Sequence, residues 1–404
     1  MHRCRICSSR LNKIIDYGDM PIANGFVKNP KIEEYTFNLA AFFCPSCLMV
    51  QIGDTVKPEK MFHDHYQFIS STSSAMAEHF KEQAEEITDS LKDKDDPFVV
   101  ELGSNDGIML KHIAKVGIRH LGIEPSGNVA SMSEKVGVLV LREFFHQKTA
   151  EKIRKNHGRA DVICGSNVTC HIEFLNSVAE GVRILLKDDG VWFFEEPYIF
   201  DIVQKSSFDQ MYDEHIFYFS GLSVQNFAQK HGMQLVDMKH QDVHGGSMRY
   251  YIKKGANNTV SPAVKKLIKK EIGLQLNRLD GYLKFRDNVN KVCSDLKKLL
   301  VQLKKAGKTV AAYGATSKST TLLNYAKIGP ELISYISDNT PTKIGLYTPK
   351  THILVKARDK FMKNPPDYTV LFAWNHKKEI LQKEKQYRQK GGKFITFFPK
   401  VKIE

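Results

Sequence analysis

The chain has 404 residues, 42% of them apolar, and carries 59 Lys and Arg against 45 Asp and Glu, a formal net charge of +14. That length and apolar content suit two to four packed domains and exclude a chain too polar to bury a core. No run approaches the ~18 apolar residues of a membrane span, and the N-terminus enters Cys4 without the apolar run of a signal peptide, so an intracellular, cytoplasmic enzyme is expected.

The first feature in chain order is a pair of cysteine turns, Cys4-Arg5-Ile6-Cys7 and Cys44-Pro45-Ser46-Cys47. Each C-x-x-C sets two thiolates on one tight turn, and two such turns complete a tetrahedral zinc site with Zn–S bonds of about 2.3 Å. Four protein ligands leave no position for water or substrate, so this zinc is expected to be structural, and the small domain around it to need metal for folding. Cys164, Cys170 and Cys293 show no framework spacing, which argues against a disulfide scaffold.

Phe98-Val99-Val100-Glu101-Leu102 reads as a buried strand and runs into Gly103-Ser104-Asn105-Asp106-Gly107, with a helix expected over Ile108 to Val116. Strand, Gly-rich turn, helix is the first unit of a doubly wound nucleotide-binding sheet. Gly103 permits the sharp turn and Gly107 the close approach of helix to strand. A second strand, His120 to Glu124, ends on an acid placed to accept both hydroxyls of a ribose. The turn is not G-x-G-x-x-G, so an S-adenosylmethionine (SAM) site is expected, with a dinucleotide site or a ligand-free turn as the alternatives.

Ala160 to Cys164 reads as another strand, which brings Asn167 near the cofactor and His171, one helical turn on, to the same crevice. The strand region Gly190 to Tyr198 carries Glu196-Pro197. Tyr212-Asp213-Glu214-His215 then runs into an aromatic stretch. Four polar or titratable residues in a row read either as a working cluster or as a surface loop. In the first case His215 is a general base, oriented by Glu214 or another acid.

The lysines are spread rather than clustered. Lys265-Lys266 and Lys269-Lys270 fit a solvated helix face, and no aromatic-interleaved basic strand is present, so nucleic acid is not expected as a partner. Positive charge also suits a smaller anion such as a nucleotide sugar. Residues 262–305 are helical in pattern. Strands are expected at Thr309–Gly314, Leu332–Asp338, Tyr368–Asn375 and Lys393–Phe397, a further parallel sheet. Gly314-Ala315-Thr316-Ser317-Lys318 lacks the glycine spacing of a second dinucleotide site.

Taken together, these residues resemble the sugar C-methyltransferases that act on nucleotide-linked 4-keto-6-deoxy sugars. The likeness is carried by the four cysteines with Pro21-Ile22-Ala23-Asn24 between them, His65-Tyr66 with Ser70-Ser71, and Glu101 to Gly107. It continues through Glu124-Pro125, Asn167 with His171, Glu196-Pro197, Tyr212 to His215, and His244-Gly245-Gly246-Ser247-Met248-Arg249. It ends with Tyr313 to Lys318 and Asp338-Asn339-Thr340-Pro341-Thr342-Lys343. Many relatives have Gly-Asn where this chain has Ser319-Thr320.

The resemblance implies an α/β protein of three parts. These are a zinc-binding domain over 1–70, a Rossmann-like SAM methyltransferase core over 71–258, and a Rossmann-like domain over 259–404 that helps bind substrate. It implies that His215 is the base and that Tyr66, His171, Tyr212 and Glu214 line the sugar pocket. Glu101, Gly103, Asn105, Gly107, Glu124 and Asn167 would hold SAM, and Arg249 and Lys318 the substrate. The expected chemistry is C-methylation, at carbon 3, through an enolate formed beside the ketone, by a monomer. Sugar O-methylation and RNA methylation are the alternatives.

Overall fold

The computed structural model describes residues 2–56, 69–72 and 74–404. At its N-terminal end the two cysteine turns are built alike. Ser8 N donates to Cys4 O at 2.8 Å and Leu48 N to Cys44 O at 2.9 Å, and Cys4 N and Cys44 N donate to Ser9 O and Met49 O. Ser8 at φ +63° and Leu48 at φ +64° reverse the chain directly after each second cysteine. Behind them Asn12–Pro21 pairs antiparallel with Thr36–Phe43, which pairs antiparallel with Val50–Ile52. The fourth strand, Phe217–Tyr218, comes from far along the chain and pairs with Val50 and Gln51.

The central sheet has seven strands in the order Met233–Gln241, Ser247–Lys254, Leu186–Pro197, Ala160–Ser166, Phe98–Leu102, Arg119–Ile123, Val140–Leu141. The last five are parallel, and the first two form an antiparallel hairpin on one edge. Phe98–Leu102 is buried along its whole length, as a near-continuous apolar run requires. Strand order reverses between it and Ala160–Ser166, so Leu102 and Ser166 flank the crevice in which such a sheet takes its ligand. Helix Ser74–Leu91 covers one face with Phe80, Ala84, Ile87 and Leu91, one helical stripe. The helix after the Gly-rich turn spans Leu110–Lys115. It starts later than expected because Gly107, at φ +77°, keeps the chain out of the right-handed helical region.

The lysine-rich stretch is two helices, Pro262–Gly273 and the 27-residue Leu279–Lys305. The longer buries Tyr282, Phe285, Val289, Leu296 and Leu300 and touches the strand Asn12–Pro21. The last sheet has the order Val355–Ala357, Ile336–Asp338, Val310–Tyr313, Tyr368–Leu371, Lys393–Thr396, Lys402–Ile403, parallel except for its final strand. The strand expected from Leu332 begins only at Ile336, because Leu332 N and Ile333 N close a turn on Gly329 O. Among the described residues no helix is long and apolar enough to cross a membrane.

Candidate functional site

Cys4 Sγ lies 3.5 Å from Cys47 Sγ, and Cys7 Sγ 3.4 Å from Cys44 Sγ. All four sulfurs lie within 4.8 Å of one another. Tetrahedral bonds of about 2.3 Å separate sulfurs by about 3.8 Å, so the four thiols fit one zinc ion. They are too far apart to be disulfides, whose S–S bond is about 2.05 Å.

In the turn after Phe98–Leu102, Gly103 takes φ +66°, Asn105 +48° and Gly107 +77°. A Cβ on Gly103 would lie 2.6 Å from Val168 Cγ2, and one on Gly107 2.6 Å from Ser133 Oγ, so both glycines are required by space as well as by φ. Glu124 laces this turn to the next. Its Oε2 accepts from Asn105 N at 3.0 Å and its Oε1 from Ser126 N at 2.8 Å. The Ser126 side chain also bonds to it, and a carboxylate has about four acceptor positions, so acceptor capacity remains for a ribose hydroxyl. Deeper in, Glu101 Oε2 is buried without a hydrogen-bond partner among the described residues. Burial, with the Glu124 and Asp106 carboxylates nearby, holds Glu101 well above the usual carboxylate range. A cavity runs from Gly103, Asn105 and Glu124 past Asn167 to His171 and His244. An acid with a spare acceptor and a glycine turn along one cavity, with an orphaned acid buried behind them, fit an adenosyl cofactor.

The far wall of that cavity is set by Glu196. Its Oε1 accepts from Val168 N, Thr169 N and Cys170 N at 3.1, 2.6 and 3.3 Å, which fixes the turn carrying Asn167 and His171. Burial pushes Glu196 up to about 7. Ile216 N donates to Cys170 O at 2.8 Å and ties this turn to the loop Tyr212–His215. There His215 Nδ1 lies 3.0 Å from Gln210 O, and His215 Nε2 2.9 Å from the Tyr212 hydroxyl. A carbonyl only accepts, so Nδ1 carries the hydrogen, and the Nε2 lone pair accepts from Tyr212. The His171 ring stands 5.1 Å from that of His215 at 85°. Burial drives His215 well below the usual histidine range and His171 to about 4, and it keeps the Tyr212 phenol protonated. The site therefore holds two neutral imidazoles and a neutral phenol.

Three family models divide the chain between them: a zinc binding domain over residues 4–62, a methyltransferase domain over 76–238 and a C-methyltransferase C-terminal domain over 242–399. The C-methyltransferase NovU of Streptomyces niveus is 30% identical, over 99% of this chain and 96% of its own length. The chain belongs to the sugar C-methyltransferase family. Solved structures that resemble part of it include a S-adenosylmethionine-dependent methyltransferase from Clostridium acetobutylicum, 12% identical with a TM-score of 0.36 over 44% of this chain and 92% of that one. Magnesium protoporphyrin IX methyltransferase of Synechocystis PCC 6803, with bound SAM, is 10% identical with a TM-score of 0.33 over 45% and 82%.

This C-methyltransferase uses SAM as methyl donor and zinc as a structural metal. C-methylation replaces the O-methylation and RNA methylation alternatives. Of the expected substrate residues, Lys318 reaches the site. Its Nζ donates to His244 O at 3.1 Å and lies 5.1 Å from the Trp374 ring, near the buried Asp209 carboxyl. Arg249 does not. Its Nε and Nη2 donate to Glu195 Oε2 at 3.0 and 2.9 Å and its Nη1 to Glu86 Oε2 at 2.9 Å. Glu195 is fully buried and also meets His79 Nε2 at 2.7 Å, so the guanidinium is consumed inside the protein. Arg249, expected on the substrate, stands in this internal ion pair. Tyr66, with His65, lies outside the described residues. Glu214 or another acid was expected to orient His215; the Gln210 carbonyl meets His215 Nδ1 instead, and Glu214 Oε1 accepts from Asn24 Nδ2 at 3.2 Å.

His244, which lines the cavity, is a site residue without an expected role. The signal was present in its two following glycines. Gly245 and Gly246 take φ +93° and +124°, and a Cβ on Gly246 would lie 1.8 Å from Asp201 Oδ2. Gln210, acting through its backbone carbonyl, had no signal, since any residue type supplies that group.

Proposed function

We propose that this enzyme methylates carbon 3 of a nucleotide-diphosphate-linked 4-keto-6-deoxy sugar, with His215 as the base. The observation that carries the reading is the buried, neutral His215 imidazole, its Nδ1 hydrogen held by Gln210 O and its Nε2 lone pair facing a phenol, beside a cavity that fits SAM. A ketone acidifies the neighbouring C–H. His215 Nε2 takes that proton, the C–H electrons form the carbon–carbon double bond, and the ketone oxygen takes the charge. Tyr212 moves its hydroxyl hydrogen bond from Nε2 to this oxygen as the proton reaches His215, and His171 donates from the facing turn. A dry, pre-oriented pair of donors is worth most where charge develops. SAM, when bound, would supply the electrophilic methyl group: the enolate carbon would take it as the S–CH3 bond breaks and S-adenosylhomocysteine leaves.

Glu101, Gly103, Asn105, Gly107, Glu124 and Asn167 would hold the cofactor, with Glu124 on the ribose. Lys318 would meet the diphosphate at the His244 end of the cavity. The partner is a small nucleotide sugar, not a nucleic acid, and the enzyme works as a cytoplasmic monomer. The test is incubation with a panel of nucleotide 4-keto sugars and methyl-labelled SAM, with mass and NMR analysis of the product. Label on carbon beside the ketone is expected, and none on a sugar whose 4-keto group has been reduced to a hydroxyl. Methylation of the reduced sugar would overturn the enolate route.

A further inference from the structure

Both acids of the catalytic loop take their side-chain hydrogen bonds from the zinc domain. Ala23 N donates to Asp213 Oδ1 at 3.0 Å, and Asn24 Nδ2 donates to Glu214 Oε1 at 3.2 Å. The C-terminal domain stands behind those contacts. Lys343 Nζ donates to Asn24 Oδ1 at 3.3 Å and to Ala315 O at 2.9 Å, and lies 4.6 Å from the Phe26 ring. Helix Ser317–Ala326 adds two hydroxyls: Thr320 Oγ1 donates to Ala23 O at 2.8 Å and Thr321 Oγ1 to Met211 O at 2.9 Å. The same short segment of the zinc domain is thus gripped from one side and grips the loop on the other.

The chemistry of the line Lys343, Asn24, Glu214 is directional. An ammonium only donates and a carboxylate only accepts, so a residue between them must accept at one end and donate at the other. A primary amide does both; an acid of the same shape does not. The amide orientation follows from its two neighbours rather than from its own density of contacts.

We propose that Asn24 is a positioning residue for methyl transfer: it passes the hold of Lys343 to the Glu214 carboxylate, so the loop bearing His215 is set only when all three domains are docked. This rests on the reading of Tyr212–His215 given above. The test compares Asn24→Asp, which keeps the shape and loses the donor, with Lys343→Met and the double variant, on a nucleotide 4-keto sugar that the wild type turns over. Asn24→Asp should lower kcat by about 10–100-fold, the effect of one lost hydrogen bond to a charge, with KM for SAM and zinc content unchanged. Asn24→Gln should recover part of the loss. The double variant should fall no further than the worse single variant. Wild-type kcat in Asn24→Asp, or losses that multiply in the double variant, would overturn the relay. If the wild type methylates no such sugar, the substrate assignment fails on its own. The relay is then read from amide exchange over residues 211–216, where unchanged protection in Asn24→Asp and in Lys343→Met overturns it.

Discussion

A histidine that must take a proton has to be unprotonated when its substrate arrives, and burial meets this requirement for His215, the proposed base. Its folded pKa is depressed, so on lowering the pH it stays neutral past the ordinary histidine value of 6.5. The neighbouring Lys318 adds to the effect, because its ammonium places positive charge beside an imidazolium. Two outcomes follow at this scale. His215→Ala should lower kcat by about 10²–10⁴-fold while SAM affinity by calorimetry holds. In the wild type the acid limb of kcat/KM should fall below pH 6.5, since activity is lost only once the depressed pKa is crossed. A limb centred at or above 6.5 would assign the base to another group.

At the scale of elements, the site is two turns pressed together. Gly103 and Val168 meet because one has no side chain, and Glu196 holds the second turn through three consecutive amides. Replacing Glu196 by Ala strands three N–H groups, and the two buried ones, of Thr169 and Cys170, cost about 1–3 kcal/mol each. Glu196→Ala should therefore lower the thermal midpoint and release the His171 turn, with kcat falling as well. Glu196→Gln keeps a carbonyl oxygen where Oε1 stands and should retain most of both. Equal losses in the two variants would mean that the negative charge, not the acceptor geometry, is what matters. Elements of this kind are legible only in part. Gly103, Gly107 and Asn105 announce a tight turn, but that Glu196 closes the facing turn depends on strand Leu186–Pro197 ending beside it.

At the scale of the whole molecule, the zinc domain is a wall of the site as well as a folding unit. The strand Phe217–Tyr218, two residues past His215, completes the zinc-domain sheet, and Ala23 and Asn24 hold the loop before it. Metal removal should thus affect catalysis more than cofactor binding, whose residues lie on the central sheet. Treating the protein with a zinc chelator, or changing Cys44→Ser, should abolish methyl transfer while SAM still binds measurably. Loss of both together would show that the central sheet cannot stand without the zinc domain.

What the sequence determined by itself was whatever short spacing dictates. Two C-x-x-C turns specify four thiolates, Phe98 to Gly107 specifies strand and turn, and Tyr212 to His215 places four polar side chains on one loop. These readings hold because three or four covalent bonds leave few ways to arrange such neighbours. Tertiary structure alone decided which group faces which. Arg249 could have met a substrate as readily as Glu195, and Glu214 could have met His215 as readily as Asn24. Only the packing of three sheets brings Lys343, Asn24 and Glu214 into one line, and hydrogen bonds between residues far apart in the chain leave no periodicity in the sequence. Their geometry is fixed by how whole surfaces fit.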